Sequence, residues 1–110
     1  MEDPYVYQLS QVKWQFFGTL TFKSGRMPER VRLSMYFAML RAVCKEFKIH
    51  FKRSVWCLRL EQGEMTGRWH FHYLLTGLPR QFVTKTTCFY LMNAWKQVNG
   101  GHSRIRIFDN

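Results

Sequence analysis

The sequence predicts an α+β domain in which a four-stranded antiparallel sheet carries two helices on one face and leaves the other face open. Four stretches alternate apolar and polar side chains at the period of two that a strand requires, and two longer stretches space apolar residues three and four apart, as helices do. Their order along the chain is β-α-β-β-α-β, and split β-α-β units in this order give such a sheet. The chain has 110 residues, of which 46% are hydrophobic, so it is expected to form one domain with a single core.

The first strand is predicted between Trp14 and Phe22. Apolar residues and Gly18 alternate along its core face, and the other face carries Gln15, Phe17, Thr19 and Thr21. Residues 1–12 show no sustained period and are predicted to form an arm at the edge of the sheet.

A helix is predicted from Glu29 to Lys48, because Pro28 suits a first helical turn and the apolar residues that follow recur at helical spacing. The predicted core stripe consists of Leu33, Phe37, Leu40, Cys44 and Phe47. Arginines and lysines fill the rest of the helix surface, so its outer face is expected to be basic.

The next two strands form a predicted hairpin. The stretch Val55–Glu61 alternates, Gln62–Gly67 contains the glycines of a loop, and a second alternating stretch runs from Arg68 to Leu75. Pairing the two strands as an antiparallel hairpin places the large apolar side chains on the core face. The open face then receives Arg59, Glu61, Arg68, His70 and His72.

A second helix is predicted from Thr84 to Val98, and Asn99–Gly101 is predicted to end it. Its core positions are Cys88, Leu91, Met92 and Trp95. The last predicted strand runs from Ser103 to Phe108 and places Arg104 and Arg106 on the open face.

The charge of the chain favours a polyanionic partner. Seventeen Lys and Arg residues against seven Asp and Glu residues give a net charge of +10, and basic proteins bind nucleic acid because binding releases counterions. A solvated basic surface without a partner is the alternative. Cys44, Cys57 and Cys88 lie far apart, as is typical of buried thiols in a reducing compartment. No secretory signal or membrane-spanning run is visible, so we expect a cytoplasmic protein, or a nuclear one in a eukaryotic host.

Two histidines carry the strongest chemical signal. His70 and His72 flank one apolar residue, so a strand projects both imidazoles from the same face. Both can reach one cation, and Glu61 on the neighbouring strand completes a three-ligand site with open positions. Glu64 in the hairpin loop is a second candidate for the carboxylate. Two alternatives stay open: a solvated histidine pair without a metal, and a zinc site that adds Cys57.

At these residues the sequence resembles the HUH endonuclease superfamily, named for histidine-hydrophobic-histidine, and most closely its rolling-circle replication initiators. The stretch Phe17-Gly18-Thr19-Leu20-Thr21-Phe22 resembles the first-strand motif, and His70-Phe71-His72 resembles the metal motif. The stretch Leu60-Glu61-Gln62-Gly63-Glu64 is similar to the strand end that supplies a carboxylate in that family. The resemblance covers nearly the whole chain and implies a ferredoxin-like or RRM-like fold with the metal site on the open face.

The resemblance implies an enzyme that binds single-stranded DNA sequence-specifically, such as an origin hairpin, and nicks and rejoins it. Mg²⁺ or Mn²⁺, held by His70, His72 and Glu61, polarises the scissile phosphate. A tyrosine attacks phosphorus and gives a 5′-phosphotyrosine and a free 3′-hydroxyl.

The nucleophile is where the sequence departs from the family. In the family, the tyrosine lies on a helix after the last strand. The tyrosines of this chain fall elsewhere: Tyr5, Tyr7, Tyr36, Tyr73 and Tyr90. We therefore expect the nucleophile after Asn110, and residues 1–110 to be a single HUH-type domain that lacks the tyrosine helix and binds DNA but cleaves it poorly.

The expected DNA contacts are basic residues near strand ends or on the open face, and they are Lys13, Lys23, Arg26, Arg59, Arg68, Arg104 and Arg106. Phe17 interrupts the polar pattern of its face, so it either stacks on a base or covers the sheet edge. Two other functions are compatible with the sequence: a single-tyrosine transposase of the same superfamily, and a non-enzymatic nucleic-acid-binding module of RRM-like shape. The oligomeric state is open.

Overall fold

The computed structural model describes residues 8–63 and 68–108 of the chain. The regular elements, in chain order, are β1 (Phe16–Phe22), α1 (Glu29–Glu46), β2 (Val55–Gln62), β3 (Trp69–Thr76), α2 (Lys85–Gln97) and β4 (Gly100–Ile107). The predicted order β-α-β-β-α-β is confirmed, and each strand and helix lies within three residues of its predicted bounds.

The four strands form one antiparallel sheet in the spatial order β2-β3-β1-β4. Each of the two central strands, β3 and β1, pairs on both sides, while β2 and β4 form the edges. The predicted α+β class with an antiparallel sheet is therefore confirmed, and the strand order is compatible with a ferredoxin-like arrangement. Among the described residues, no helix has the length and apolar character that a membrane span needs.

The core lies between one face of the sheet and the two helices. Core residues come from β1, β3 and β4 as well as from both helices, and the largest fully buried side chains include Trp95, Tyr36, Tyr73 and Phe16. The Trp95 indole N–H donates a hydrogen bond to the carbonyl oxygen of Thr21 at 2.8 Å, which fixes α2 against the end of β1. Burying the helices on this face leaves the opposite face of the sheet available for function.

Helix α1 differs from its prediction in its buried stripe and in its end. The stripe is rotated, so Met35, Tyr36, Met39, Leu40, Val43 and Cys44 are buried. Leu33, Phe37 and Phe47 lie only half-buried at its margin. The helix ends at Glu46 because Lys48 adopts a left-handed conformation with φ of 54°, and the Ile49 N–H donates to the Cys44 carbonyl.

Strand β4 begins three residues earlier than the sequence predicts. Asn99 alone, with φ of 68°, ends α2, and both following glycines belong to the strand. A Cβ on Gly100 would collide with the Trp95 ring. Gly100 therefore serves close packing of β4 on α2, and Gly101 serves close packing of β4 on β1, rather than the helix stop that the sequence suggests.

The chain before β1 also departs from its prediction. Residues 8–10 are helical and do not join the sheet edge. Leu9 accepts a hydrogen bond from the Trp14 indole N–H at 3.0 Å, and its side chain lines a cavity on the open face. The part of the predicted arm before residue 8 lies outside the described residues.

Thr84 caps the start of α2, and its removal gives a first test of the fold. Its hydroxyl accepts a hydrogen bond from the Thr87 N–H at 3.2 Å. Because an uncapped helix leaves that donor unpaired, we expect Thr84→Ala to lower the free energy of unfolding by about 1 kcal/mol in urea denaturation. Thr86→Ala, an exposed change in the same helical turn, is the control and should have a smaller effect. Equal midpoints for the two variants would contradict the capping role.

Candidate metal centre

The open face of the sheet presents side chains in rows that cross the strands, and three consecutive rows concern the site. Strand register defines each row: the Phe17 row holds Cys57, Leu74, Phe17 and Arg106; the His72 row holds Arg59, His72, Thr19 and Arg104; the His70 row holds Glu61, His70 and Thr21. The prediction that Glu61, His70 and His72 share one face is confirmed, because β2 and β3 pair in the register that the hairpin requires.

Glu61, His70 and His72 converge on one point. Glu61 pairs directly with His70 across β2 and β3, and one ligand atom from each of the three residues lies within 4.8 Å of the others. The His72 Nε2 atom is 2.9 Å from the Glu61 Oε2 atom, and the two imidazole rings meet edge to face with centroids 4.9 Å apart. A cation placed between them has three protein ligands within reach.

Arg59 favours the ionised form of the Glu61 carboxylate. Its guanidinium Nη2 lies 2.5 Å from Glu61 Oε2, on the same face two residues earlier in β2. The hydrogen bond from Arg59 is the main cause that lowers the pKa of Glu61 below its usual value, and His72 adds to the effect. Glu61 is therefore ionised at neutral pH, which is the form that binds a cation.

The donor set fits a divalent ion with exchangeable positions. Two imidazole nitrogens and one carboxylate oxygen suit Mn²⁺, Zn²⁺ or Fe²⁺ better than Mg²⁺, which prefers oxygen ligands only. The side chains of His72 and Glu61 are 41% and 45% exposed, so a bound ion would keep positions open to a large ligand on the sheet surface. Cys57, the alternative zinc ligand, lies two rows from His70 and outside this group. Glu64, the second candidate carboxylate, lies outside the described residues.

An apolar pocket adjoins the metal centre on the side of the Phe17 row. The residues that line this cavity of about 340 Å³ include Leu9, Phe17, Cys57, Leu74 and His72. The sequence gives no sign that the segment before β1 reaches the open face, because residues 8–10 carry no periodic signal of their own.

Phe17 is half-buried on the open face, as predicted, but its ring already has neighbours. The Arg106 guanidinium lies over it at 5.4 Å from the ring centroid, and Phe108 meets it edge to face at 5.9 Å. A base could therefore stack beside Phe17 only after Arg106 moves, or it could stack on Arg106 itself.

The predicted phosphate-binding residues fall into three places. Arg59 and Arg104 occupy the His72 row on either side of the histidine, and Arg106 occupies the next row. Lys23 and Arg68 lie with Thr21 at the end of the sheet where β1 ends and β3 begins, and Arg26 lies in the turn that follows β1. Lys13 lies at the opposite end, where its carbonyl accepts a hydrogen bond from Thr76, so the structure does not bring it close to the histidines.

The described tyrosines lie away from the metal centre. Tyr36 and Tyr73 are fully buried in the core, and burial raises the pKa of both well above the usual tyrosine value. Tyr90 packs edge to face against Phe47 on the helical side, where burial also raises its pKa. These three tyrosines therefore serve packing on the helical side of the sheet, and Tyr5 and Tyr7 lie outside the described residues.

Comparison with known proteins adds no relative. The chain matches no protein-family model, no curated protein and no solved structure. Resemblance to the HUH superfamily therefore stays a prediction that rests on the residues quoted above, and any functional argument depends on the chemistry of this face.

Proposed function

We propose that this chain is a ferredoxin-like domain of the HUH type that binds single-stranded DNA at a divalent-metal centre, for nicking and joining of the strand. The observation that carries the proposal is the convergence of Glu61, His70 and His72, whose ligand atoms lie within 4.8 Å of one another on an exposed sheet face. Mn²⁺ is the proposed ion, because the donor set suits it better than Mg²⁺. A shallow site on an open face suits a polymer rather than an enclosed small molecule.

The charges around the centre support a phosphodiester as the ligand. Arg59 is the direct neighbour of His72 in its row, Arg104 follows on the far side of Thr19, and both arginines are exposed. Guanidinium groups match phosphate oxygens in a two-point hydrogen-bonding geometry. The chain's net charge of +10 adds a long-range attraction for polyanions.

In the proposed reaction, a tyrosine hydroxyl oxygen bonds to phosphorus while the bond from phosphorus to the 3′ oxygen breaks, and the proton that the hydroxyl loses is gained by the 3′ oxygen. The products are a 5′-phosphotyrosine and a free 3′-hydroxyl, which can later reverse the step. A bound divalent cation supplies Lewis-acid polarisation of a non-bridging phosphate oxygen. Glu61, His70 and His72 would hold that cation, and Arg59 and Arg104 would contact the DNA backbone.

Fluorescence anisotropy with random-sequence oligonucleotides tests the proposal on the chain as it stands. We expect tighter binding to a single-stranded pool than to the matching duplexes, and an increase of about tenfold in affinity when Mn²⁺ replaces EDTA, since a charge-assisted contact adds about 1.5–3 kcal/mol. The Mn²⁺ effect should vanish in His70→Ala.

His50→Ala is the matched control, because His50 is a histidine in the connector before β2 and caps only the short helical turn there. It should keep the Mn²⁺ effect. Binding that does not respond to Mn²⁺ and is equal in parent and His70→Ala would instead indicate a non-enzymatic RRM-like module. A preference for the duplex would contradict both functions.

A further inference from the structure

A second cavity lies at the end of the sheet beside the metal centre. The end of β1, the residue before β3, the start of β4 and the last turns of α2 surround this space of about 580 Å³, which we call the end cavity. Thr21, one of its lining residues, is the direct cross-strand partner of His70. Such partners have Cβ atoms about 5 Å apart, so the end cavity begins next to the candidate metal ligands.

Three cations from three different segments line the end cavity. Lys23 follows β1, Arg68 precedes β3 and Lys96 lies in the last turn of α2. None of the described residues that line the cavity is acidic. Lys23 and Lys96 form no ion pair within the described part of the chain. Because like charges converge here and no described residue of the lining is a carboxylate, the cavity favours an anion.

The floor of the end cavity is built by an irregularity in β4. Two residues of β1 beyond Leu20 oppose three residues of β4, so β4 bulges between Ser103 and Gly100. Gly101 lies in this bulge, where an added Cβ would lie 2.7 Å from the Thr21 hydroxyl oxygen. Bulges of this kind recur next to binding sites because they re-aim the side chains around them.

The size and the lining residues of the end cavity indicate a ligand larger than a single phosphate ion. Its volume falls within the range of about 300–1,000 Å³ that is typical of small-molecule sites. Asn93 and Ser103 add neutral hydrogen-bonding groups, and the half-buried Met92 adds an apolar wall. Three cations, two neutral polar groups and one apolar wall match a nucleotide with a phosphate on each side of its sugar.

We propose that the end cavity binds one nucleotide of a DNA strand, and that Lys23, Arg68 and Lys96 hold the two phosphate groups that flank it. That this nucleotide lies beside the one at the metal centre rests on the proposed function. Binding of a nucleoside bisphosphate does not, because the cations of the end cavity are separate from Glu61, His70 and His72.

Isothermal titration with thymidine 3′,5′-bisphosphate in EDTA tests the site without any metal. We expect saturable binding of one molecule. Binding should weaken about tenfold or more, which is about 1.4 kcal/mol or more, in the double variant Lys23→Gln and Lys96→Gln, because two of the three cations are then neutral. Lys85→Gln, which removes an exposed lysine from the first turn of the same helix, should bind as the parent does. Circular dichroism checks that all variants are folded.

Three results would overturn the inference: no saturable binding in the parent, equal weakening by Lys85→Gln, or inorganic phosphate binding as tightly as the bisphosphate. The experiment separates this inference from the proposed function. Bisphosphate binding together with an absent Mn²⁺ effect on DNA affinity would retain the end cavity as a nucleotide site and reject the metal-dependent function. A Mn²⁺ effect on DNA affinity without bisphosphate binding would retain the metal-dependent function and reject the end cavity as a nucleotide site.

Discussion

Addition of Mn²⁺ is expected to raise the melting temperature of this protein, and His70→Ala or Glu61→Ala should abolish the rise. A ligand that binds only the folded state stabilises it by about 2.7 kcal/mol at one hundred times its dissociation constant. For a domain of this size that corresponds to roughly 10 °C in a thermal-shift titration. Each variant removes one of three protein ligands, and two remaining ligands on an exposed surface should not hold the ion at the same concentrations.

The matched controls change one histidine and one carboxylate away from the sheet face. His50→Ala removes a histidine from the connector before β2, and Glu46→Ala removes an exposed carboxylate from the end of α1. Both should keep the full Mn²⁺ shift. An equal shift in all variants would indicate non-specific binding of the ion, and no shift in the parent would reject the metal centre.

The same titration with Mn²⁺ and with Mg²⁺ tests whether the histidines are the ligands. Imidazole nitrogens bind Mn²⁺ better than Mg²⁺, which demands oxygen ligands and gives up water reluctantly. We therefore expect a larger shift with Mn²⁺ than with Mg²⁺ at equal concentration. A larger shift with Mg²⁺ would mean that the ion binds to oxygen ligands elsewhere and not to His70 and His72.

Local sequence patterns predict the metal centre because its geometry depends on only one hairpin. Alternation decides which face of a strand a side chain takes, and the length of the loop decides which residues pair. Both patterns are clear for β2 and β3, so the amino-acid sequence by itself places Glu61 and His70 on the same face, and their pairing follows. The ion pair between Arg59 and Glu61 follows from the same alternation, although the sequence suggests only a phosphate contact for Arg59.

Structural features that depend on packing between segments far apart in the sequence could not be predicted. The rotation of α1, which buries Tyr36 and leaves Phe37 half-buried, is decided by the sheet residues that it meets, and helical spacing alone cannot distinguish neighbouring stripes. Leu9 lines the pocket on the open face and accepts a hydrogen bond from the Trp14 indole, and no periodic pattern in the sequence predicts either contact. The end cavity likewise needs the bulge of β4, which only the pairing of β1 with β4 reveals.

The same long-range packing leads us to expect a large loss of stability from Gly18→Ala. Gly18 lies in the central strand β1, opposite Ile105 of β4, and an added Cβ would collide with the Arg104 carbonyl oxygen and lie 2.9 Å from the Ile105 Cα. Both are backbone atoms, so relief requires β4 to move away from β1 and to give up hydrogen bonds between them. We expect the free energy of unfolding to fall by about 3 kcal/mol, at the upper end of the range for overpacked cores.

Gly25→Ala provides a matched glycine control for this expectation. Gly25 lies in the turn after β1, where an added Cβ would meet nothing within 4 Å, so its replacement should be neutral or stabilise by up to about 1 kcal/mol through the unfolded chain. Urea unfolding monitored by circular dichroism measures both variants, and similar midpoints would contradict the steric argument. If Gly18→Ala behaves as expected, the glycine in the Phe17–Phe22 motif is explained by close strand packing. That packing keeps Arg104 in the His72 row. Gly18, which has no side chain, would therefore help to position a charge on the face that carries the candidate metal centre.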